Sequence, residues 1–89
     1  MKKHLQRHKE FLKDSKKTKI TDKQNEKLFE YVVKLLNNEP LPKEARDHSL
    51  SGNWNDFREF HLGGDMLIIY QSTETHITLI RLGTHSQLF

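Results

Sequence analysis

The apolar positions of this chain keep one period in its first half and another in its second. Between Thr21 and Pro40, the residues Leu28, Tyr31, Val32, Leu35 and Leu36 recur at the spacing that lines one side of a helix. The T-x-x-Q run from Thr21 to Gln24 forms a capping box, in which the two side chains satisfy backbone N–H groups at the helix start. Pro40 cannot continue the helix, so it ends before that residue. A shorter helix is expected over His8 to Lys17, with Phe11 and Leu12 turned inward, and a short strand over Lys3 to Gln6 ahead of it.

Past Pro42 the pattern predicts strands. Phe57 to Leu62, Met66 to Gln71 and His76 to Leu82 are rich in aromatic and β-branched residues, and Gly63-Gly64 and Ser72 to Thr75 separate them as turns. Strands joined by short turns form an antiparallel meander. Met66-Leu67-Ile68-Ile69-Tyr70 is apolar at every position, which suits a central strand with helices over one side. The fold class is therefore α+β, an N-terminal short strand and two helices followed by an antiparallel β-sheet meander, in a single domain over residues 1–89.

This topology concentrates ionisable groups. In a meander the end of the first strand, the start of the second and the end of the third meet at one edge. His61, Asp65, Arg81 and His85 fall there, while the opposite edge receives Glu74 and His76. Trp54 and Arg58 lie just before or on the first strand, and the pattern does not place His48. Two imidazoles, a carboxylate and a guanidinium can together cleave an RNA phosphodiester: one group takes the 2′-hydroxyl proton, another protonates the leaving 5′-oxygen, and a cation offsets the charge on the phosphoryl oxygens. Histidine serves as acid or base near neutrality, and arginine presents a planar fork to phosphate. Asp65 can orient a histidine or act as base. Taken singly, each has a plainer reading: His61 and His85 as surface histidines, Arg81 as an ion-pair partner of Asp65 or Glu59, Trp54 and Phe57 as core. His4 and His8 read as surface residues, since nothing near them completes a site.

Composition narrows the class. Cysteine is absent, which excludes disulfides and thiolate metal sites. The longest apolar run is too short to span a bilayer, and the Lys-rich start lacks the apolar stretch of a secretion signal, so a cytoplasmic protein with no membrane partner is expected. The net charge of +3 is divided unevenly: residues 1–34 carry eleven Lys and Arg against five Asp and Glu, or +6, and the remainder four against seven, or −3. The basic half suits RNA or an acidic protein partner, and equally a solvated helical surface.

The motifs then become recognisable. Asp47-His48-Ser49-Leu50-Ser51-Gly52-Asn53-Trp54, followed by Phe57-Arg58-Glu59-Phe60-His61, by Asp65 ahead of a strand ending in Tyr70, and by Arg81-Leu82-Gly83-Thr84-His85-Ser86-Gln87-Leu88-Phe89, resembles the YafQ branch of the RelE superfamily of toxins. The likeness runs in order from Leu41 to Phe89, and the first half is similar in layout only. It implies a RelE-like fold and a ribosome-dependent endoribonuclease that cuts mRNA in the decoding site without a metal or other cofactor. It also implies a cognate DinJ-like antitoxin as partner, together with the 70S ribosome and mRNA, with DNA reached only through the antitoxin complex. The family's catalytic surface falls on His48, His61, Asp65, Arg81 and His85, with Phe89 beside them. Trp54, Arg58 and Phe89 are expected to contact RNA, and His85 to act as general acid with His48, His61 or Asp65 as base. Gly64 stands where the family often has proline, and Met66 where an aromatic residue is common. A divalent-metal hydrolase using His61, Asp65 and His85, a non-catalytic RNA-binding module, and a toxin reduced to antitoxin binding and autoregulation remain as alternatives.

Overall fold

The capping box forms as its residues dictate. Thr21 Oγ1 accepts from the Gln24 amide and Gln24 Oε1 from the Thr21 amide, opening helix α2 at Asp22–Leu36. The computed structural model describes residues 2–54 and 56–89. A strand at His4–Arg7 (β1) precedes helix α1 at Lys9–Lys17, whose start is capped by His8 Nδ1 accepting from the Glu10 amide. After α2 come a short 3-10 turn at Lys43–Ala45, a two-residue strand at His48–Ser49 (β2) and a second 3-10 turn at Gly52–Trp54. Three longer strands follow, β3 at Arg58–Gly63, β4 at Met66–Ser72 and β5 at His76–Thr84, and the chain closes in a single helical turn, α3 at His85–Leu88.

The strands form one sheet in the order β1-β5-β4-β3-β2, with β1 parallel to β5 and the other pairs antiparallel. The meander and the central position of β4 match the pattern reading. Leu67 to Tyr70 are buried, as an apolar run covered on both faces requires. On one face Phe60, Leu62, Ile68, Tyr70, Ile77, Leu79 and Leu82 pack under Phe11 of α1 and Tyr31 and Val32 of α2. Tyr31, Phe60 and Tyr70 pack in series, the first pair edge-to-face and the second tilted, at 5.6 and 5.5 Å between centroids, each pair adding about 0.5–1.5 kcal/mol beyond its buried area. Leu12, expected inside, is 38% exposed: α1 has nine residues and its inward stripe is Phe11 with Asp14, three positions on.

The other face is covered by the chain's own loops instead of by α1 and α2. Leu67 and Ile69 are sealed there by Leu88, with Leu50, Trp54, Phe57 and Ile80 around them. A bulge in β5 divides the faces unevenly: Ile69 pairs with Arg81 and Tyr70 with Leu79, leaving Ile80 as the extra residue. Among the described residues, no helix is long and apolar enough to cross a membrane.

Candidate active site

Strand alternation decides what β3 presents. Phe60 and Leu62 enter the helix-side core, so Glu59 and His61 project from the loop-covered face. Register places His48 of β2 directly opposite Glu59. The result is a cluster centred on one carboxylate: Glu59 Oε2 lies 2.8 Å from His61 Nε2 and 3.8 Å from His48 Nε2. The two imidazoles lie 6.3 Å apart at an interplanar angle of 24°. The Glu59 side chain is 5% exposed and that of His48 53%, so the carboxylate is sunk beneath an accessible imidazole.

The hydrogen bonds fix how the rings are turned. His48 Nδ1 is 2.6 Å from the Arg46 carbonyl oxygen, which can only accept, so Nδ1 carries the proton there. Arg46 holds φ +50°, a left-handed conformation uncommon for a residue with a side chain, at the turn that delivers Asp47 and His48 to β2. On His61, Nε2 is the ring nitrogen set against the Glu59 carboxylate, at 2.8 Å, and Nδ1 is the one turned away from it.

The rung next to Glu59 carries the site across the sheet. His61 pairs with Leu67, and Leu67 with Gly83, so the three share one face. Two residues beyond Gly83, His85 begins α3, which Thr84 caps with a second capping box: Thr84 Oγ1 accepts from the Gln87 amide and Gln87 Oε1 from the Thr84 amide. The turn folds down onto Gly83, where an added Cβ would meet Leu88 Cδ2 at 3.2 Å. Four aromatic rings continue from it in series: His85 to Phe89 at 4.9 Å, Phe89 to Trp54 at 5.6 Å, Trp54 to Phe57 at 5.6 Å. Asp65 is exposed in the two-residue loop between β3 and β4, and Met66 beside it pairs with Thr84, so Asp65 and His85 leave the sheet at the same end. Gly64 ahead of it takes φ +58°, which proline cannot adopt.

The two arginines behave differently from the histidines. Arg81 pairs with Ile69 and so belongs to the site's face, but its ion-pair partner is neither Asp65 nor Glu59. Its Nε and Nη2 donate to Asp14 of α1 at 2.7 and 3.3 Å. The free edge of β5 beyond β1 makes this possible, since Asp14 Oδ2 also accepts from the Leu82 amide at 3.0 Å. Burial pushes the Asp14 carboxyl up, but the Arg81 and Leu82 hydrogen bonds outweigh it and hold it below the usual carboxylate range. Arg58 pairs with Tyr70 and therefore lies on the helix side. There its Nε donates to Asp47 Oδ1 and to Tyr70 Oη, both at 3.2 Å, while Tyr70 Oη donates to Asp47 Oδ1 at 2.5 Å. It thus stands across the sheet from His48 and His61, and the geometry gives it a pinning position behind the His48 segment. His4 and His8 lie on β1 and at the cap of α1, apart from this group. Among the described residues, no three His, Cys, Asp or Glu side chains are grouped to hold a metal ion.

A profile described as bacterial toxin of type II toxin-antitoxin system, YafQ, matches residues 3–89. The chain belongs to the YafQ toxin family. The Escherichia coli K12 protein named mRNA interferase toxin YafQ is 36% identical over 81 residues, covering 90% of this chain and 88% of that one. Among solved structures, a copper-bound mutant toxin from Helicobacter pylori superposes with a TM-score of 0.86 at 37% identity over the whole of both chains. YafQ in the E. coli DinJ-YafQ toxin-antitoxin complex does so with 0.85 at 32% identity, over 100% of this chain and 99% of that one. Against this YafQ-type background, the residue that sequence reasoning passed over is Glu59, weighed only as a partner for Arg81. Its position two residues before His61 on a strand was the available signal, because such residues share a face.

Proposed function

We propose that the chain is an mRNA interferase, an endoribonuclease toxin that cuts messenger RNA held on the ribosome by metal-independent acid-base chemistry and is silenced by a cognate DinJ-like antitoxin. The observation that carries this reading is the Glu59–His61 pair beside His48, at the end of the sheet where His85 opens its capped turn. His61, oriented through Nε2 by Glu59, takes the 2′-hydroxyl proton at Nδ1. The 2′-oxygen then attacks the phosphorus, the bond to the 5′-oxygen breaks, and His85 donates the proton that oxygen needs. The products are a 2′,3′-cyclic phosphate, which water can open to a 3′-phosphate, and a 5′-hydroxyl.

His48 supplies a second donor to the phosphoryl oxygens, and Arg81 offsets their charge with the N–H groups that Asp14 leaves unused. Asp65, exposed at the same end, is the remaining candidate for orienting a histidine. Trp54 and Phe89 offer ring faces to bases, worth about 1–3 kcal/mol for each base stacked. The antitoxin is proposed from the DinJ-YafQ complexes of the E. coli relative. The groove of about 560 Å³ between α1 and α2, with Phe29 exposed on its rim, offers it an apolar seat on the basic half of the chain.

The test is incubation of the purified protein with programmed ribosomes and mapping of the fragment ends. Cuts leaving 5′-hydroxyl ends, lost in His85→Ala while that variant still binds its antitoxin, are the expected result. Uncut message with the wild-type protein would remove the nuclease reading.

A further inference from the structure

A second polar feature lies beside the catalytic end. A cleft of about 270 Å³ opens between the last turn of α1, the outer edge of β5 and α3, lined in part by Asp14, Lys17, Thr18, Arg81 and Gln87. Its chemistry is one-sided. The Asp14 oxygens are turned to Arg81 and the Leu82 amide, and Gln87 Oε1 is taken by the Thr84 amide. What remains to face a ligand is donors: the Lys17 ammonium, the Thr18 hydroxyl, the Gln87 NH₂ and the guanidinium of Arg81. Two of the five Arg81 N–H groups are used on Asp14 and three are left. With Asp14 counted against Lys17 and Arg81 the cleft is net positive, so it suits an anion rich in acceptor oxygens.

Its position says which anion. Arg81 shares a rung with Ile69 and Glu59, which puts its backbone about 10 Å from that of Glu59 on one face. Gln87 lies in the same helical turn as His85. A strand of RNA crossing His85 therefore runs directly on to the cleft.

We propose that this cleft is a phosphate subsite, in which Lys17 and Arg81 grip a backbone phosphate of the substrate strand next to the one that is cut. Asp14 is the positioning residue that keeps Arg81 stretched between subsite and catalytic face. The inference rests on the nuclease reading above, and the experiment separates the two. Binding of a short single-stranded RNA with 2′-O-methyl riboses, which cannot be cut, is measured against salt for the wild type, Lys17→Ala, Lys17→Arg and Lys34→Ala. Lys34 stands at the last turn of α2 beside Glu39, outside the cleft. Loss of one single-strand phosphate contact lowers the slope of log K against log salt by about 0.7. Lys17→Ala should show that drop, Lys17→Arg should restore the wild-type slope, and Lys34→Ala should keep it. In cleavage of unmodified RNA, Lys17→Ala should raise KM and leave kcat unchanged. An unchanged slope in Lys17→Ala, an equal drop in Lys34→Ala, or no binding by the wild type overturns the subsite. A slope change in a protein that never cuts RNA would instead sink the nuclease reading and leave the subsite standing.

Discussion

Glu59 and His61, two residues apart on one strand, are joined by a 2.8 Å contact on the face of the sheet away from helices α1 and α2. A buried carboxylate set against Nε2 favours the tautomer with the proton on that nitrogen and Nδ1 free, which is the form able to remove a proton. In Glu59→Gln the amide can turn its NH₂ toward Nε2 and favour the other tautomer. Single-turnover cleavage should fall by about two to four orders of magnitude, with the circular-dichroism spectrum unchanged. A variant that cuts at the wild-type rate would remove Glu59 from the mechanism.

The proposed proton transfer from the 2′-hydroxyl to His61 is written without a metal, which makes chelation a direct test. Toxin treated with EDTA, freed of chelator and added to programmed ribosomes should cut at its original rate. Restoration of a lost rate by a single transition metal would give the contrary answer.

Arg58 should matter to stability more than to RNA. Its removal leaves Asp47 and the Tyr70 hydroxyl without their shared donor, which costs on the order of 1 kcal/mol at this partly exposed position, or about 4–8 °C in Tm. Arg58→Ala is expected to melt lower while holding RNA as tightly as the wild type below its transition. Weaker RNA binding with unchanged melting would restore the reading of Arg58 as an RNA contact.

Asp14 should make the fold sensitive to acid. A carboxyl held below its unfolded pKa adds stability that is complete above that value, near 3.9, and is lost as pH falls through the folded value. The gap in unfolding free energy between wild type and Asp14→Asn should stay level from neutrality to about pH 5 and shrink below about pH 4. Denaturant melts across that range read it directly, and a gap that grows toward low pH would contradict the assignment.

These residues also show what the sequence could disclose. The α2 start was legible because Thr21 and Gln24 act on each other locally, and β4 because its burial on both faces leaves no polar position. The meander followed, and with it the common end shared by His61, Asp65 and His85. Asp14 and Arg81 were not legible as a pair: 67 residues separate them, and only the free edge of β5 brings them together. β2 escaped notice because two residues carry no period, and α3 because a helix of one turn is held by its cap and by Leu88 on Gly83 instead of by a stripe. Arg58 and Glu59 are neighbours in sequence on opposite faces, so their roles could be divided only once the strand's phase was known.

That phase is set in β5 by a single inserted position. Ile77 and Leu79 point to the helices, and strict alternation would send Arg81 after them, a cation into the core, with Leu82 turned away. The bulge at Ile80 resets the count, so that Leu82 rejoins the interior and Arg81 emerges on the face that carries Glu59 and His61. Drawing Ile80 into the ladder would therefore invert everything downstream, moving Gly83 from beneath the terminal turn and carrying His85 away with it, whereas deleting that one isoleucine would leave Arg81, Leu82 and Gly83 on their present faces.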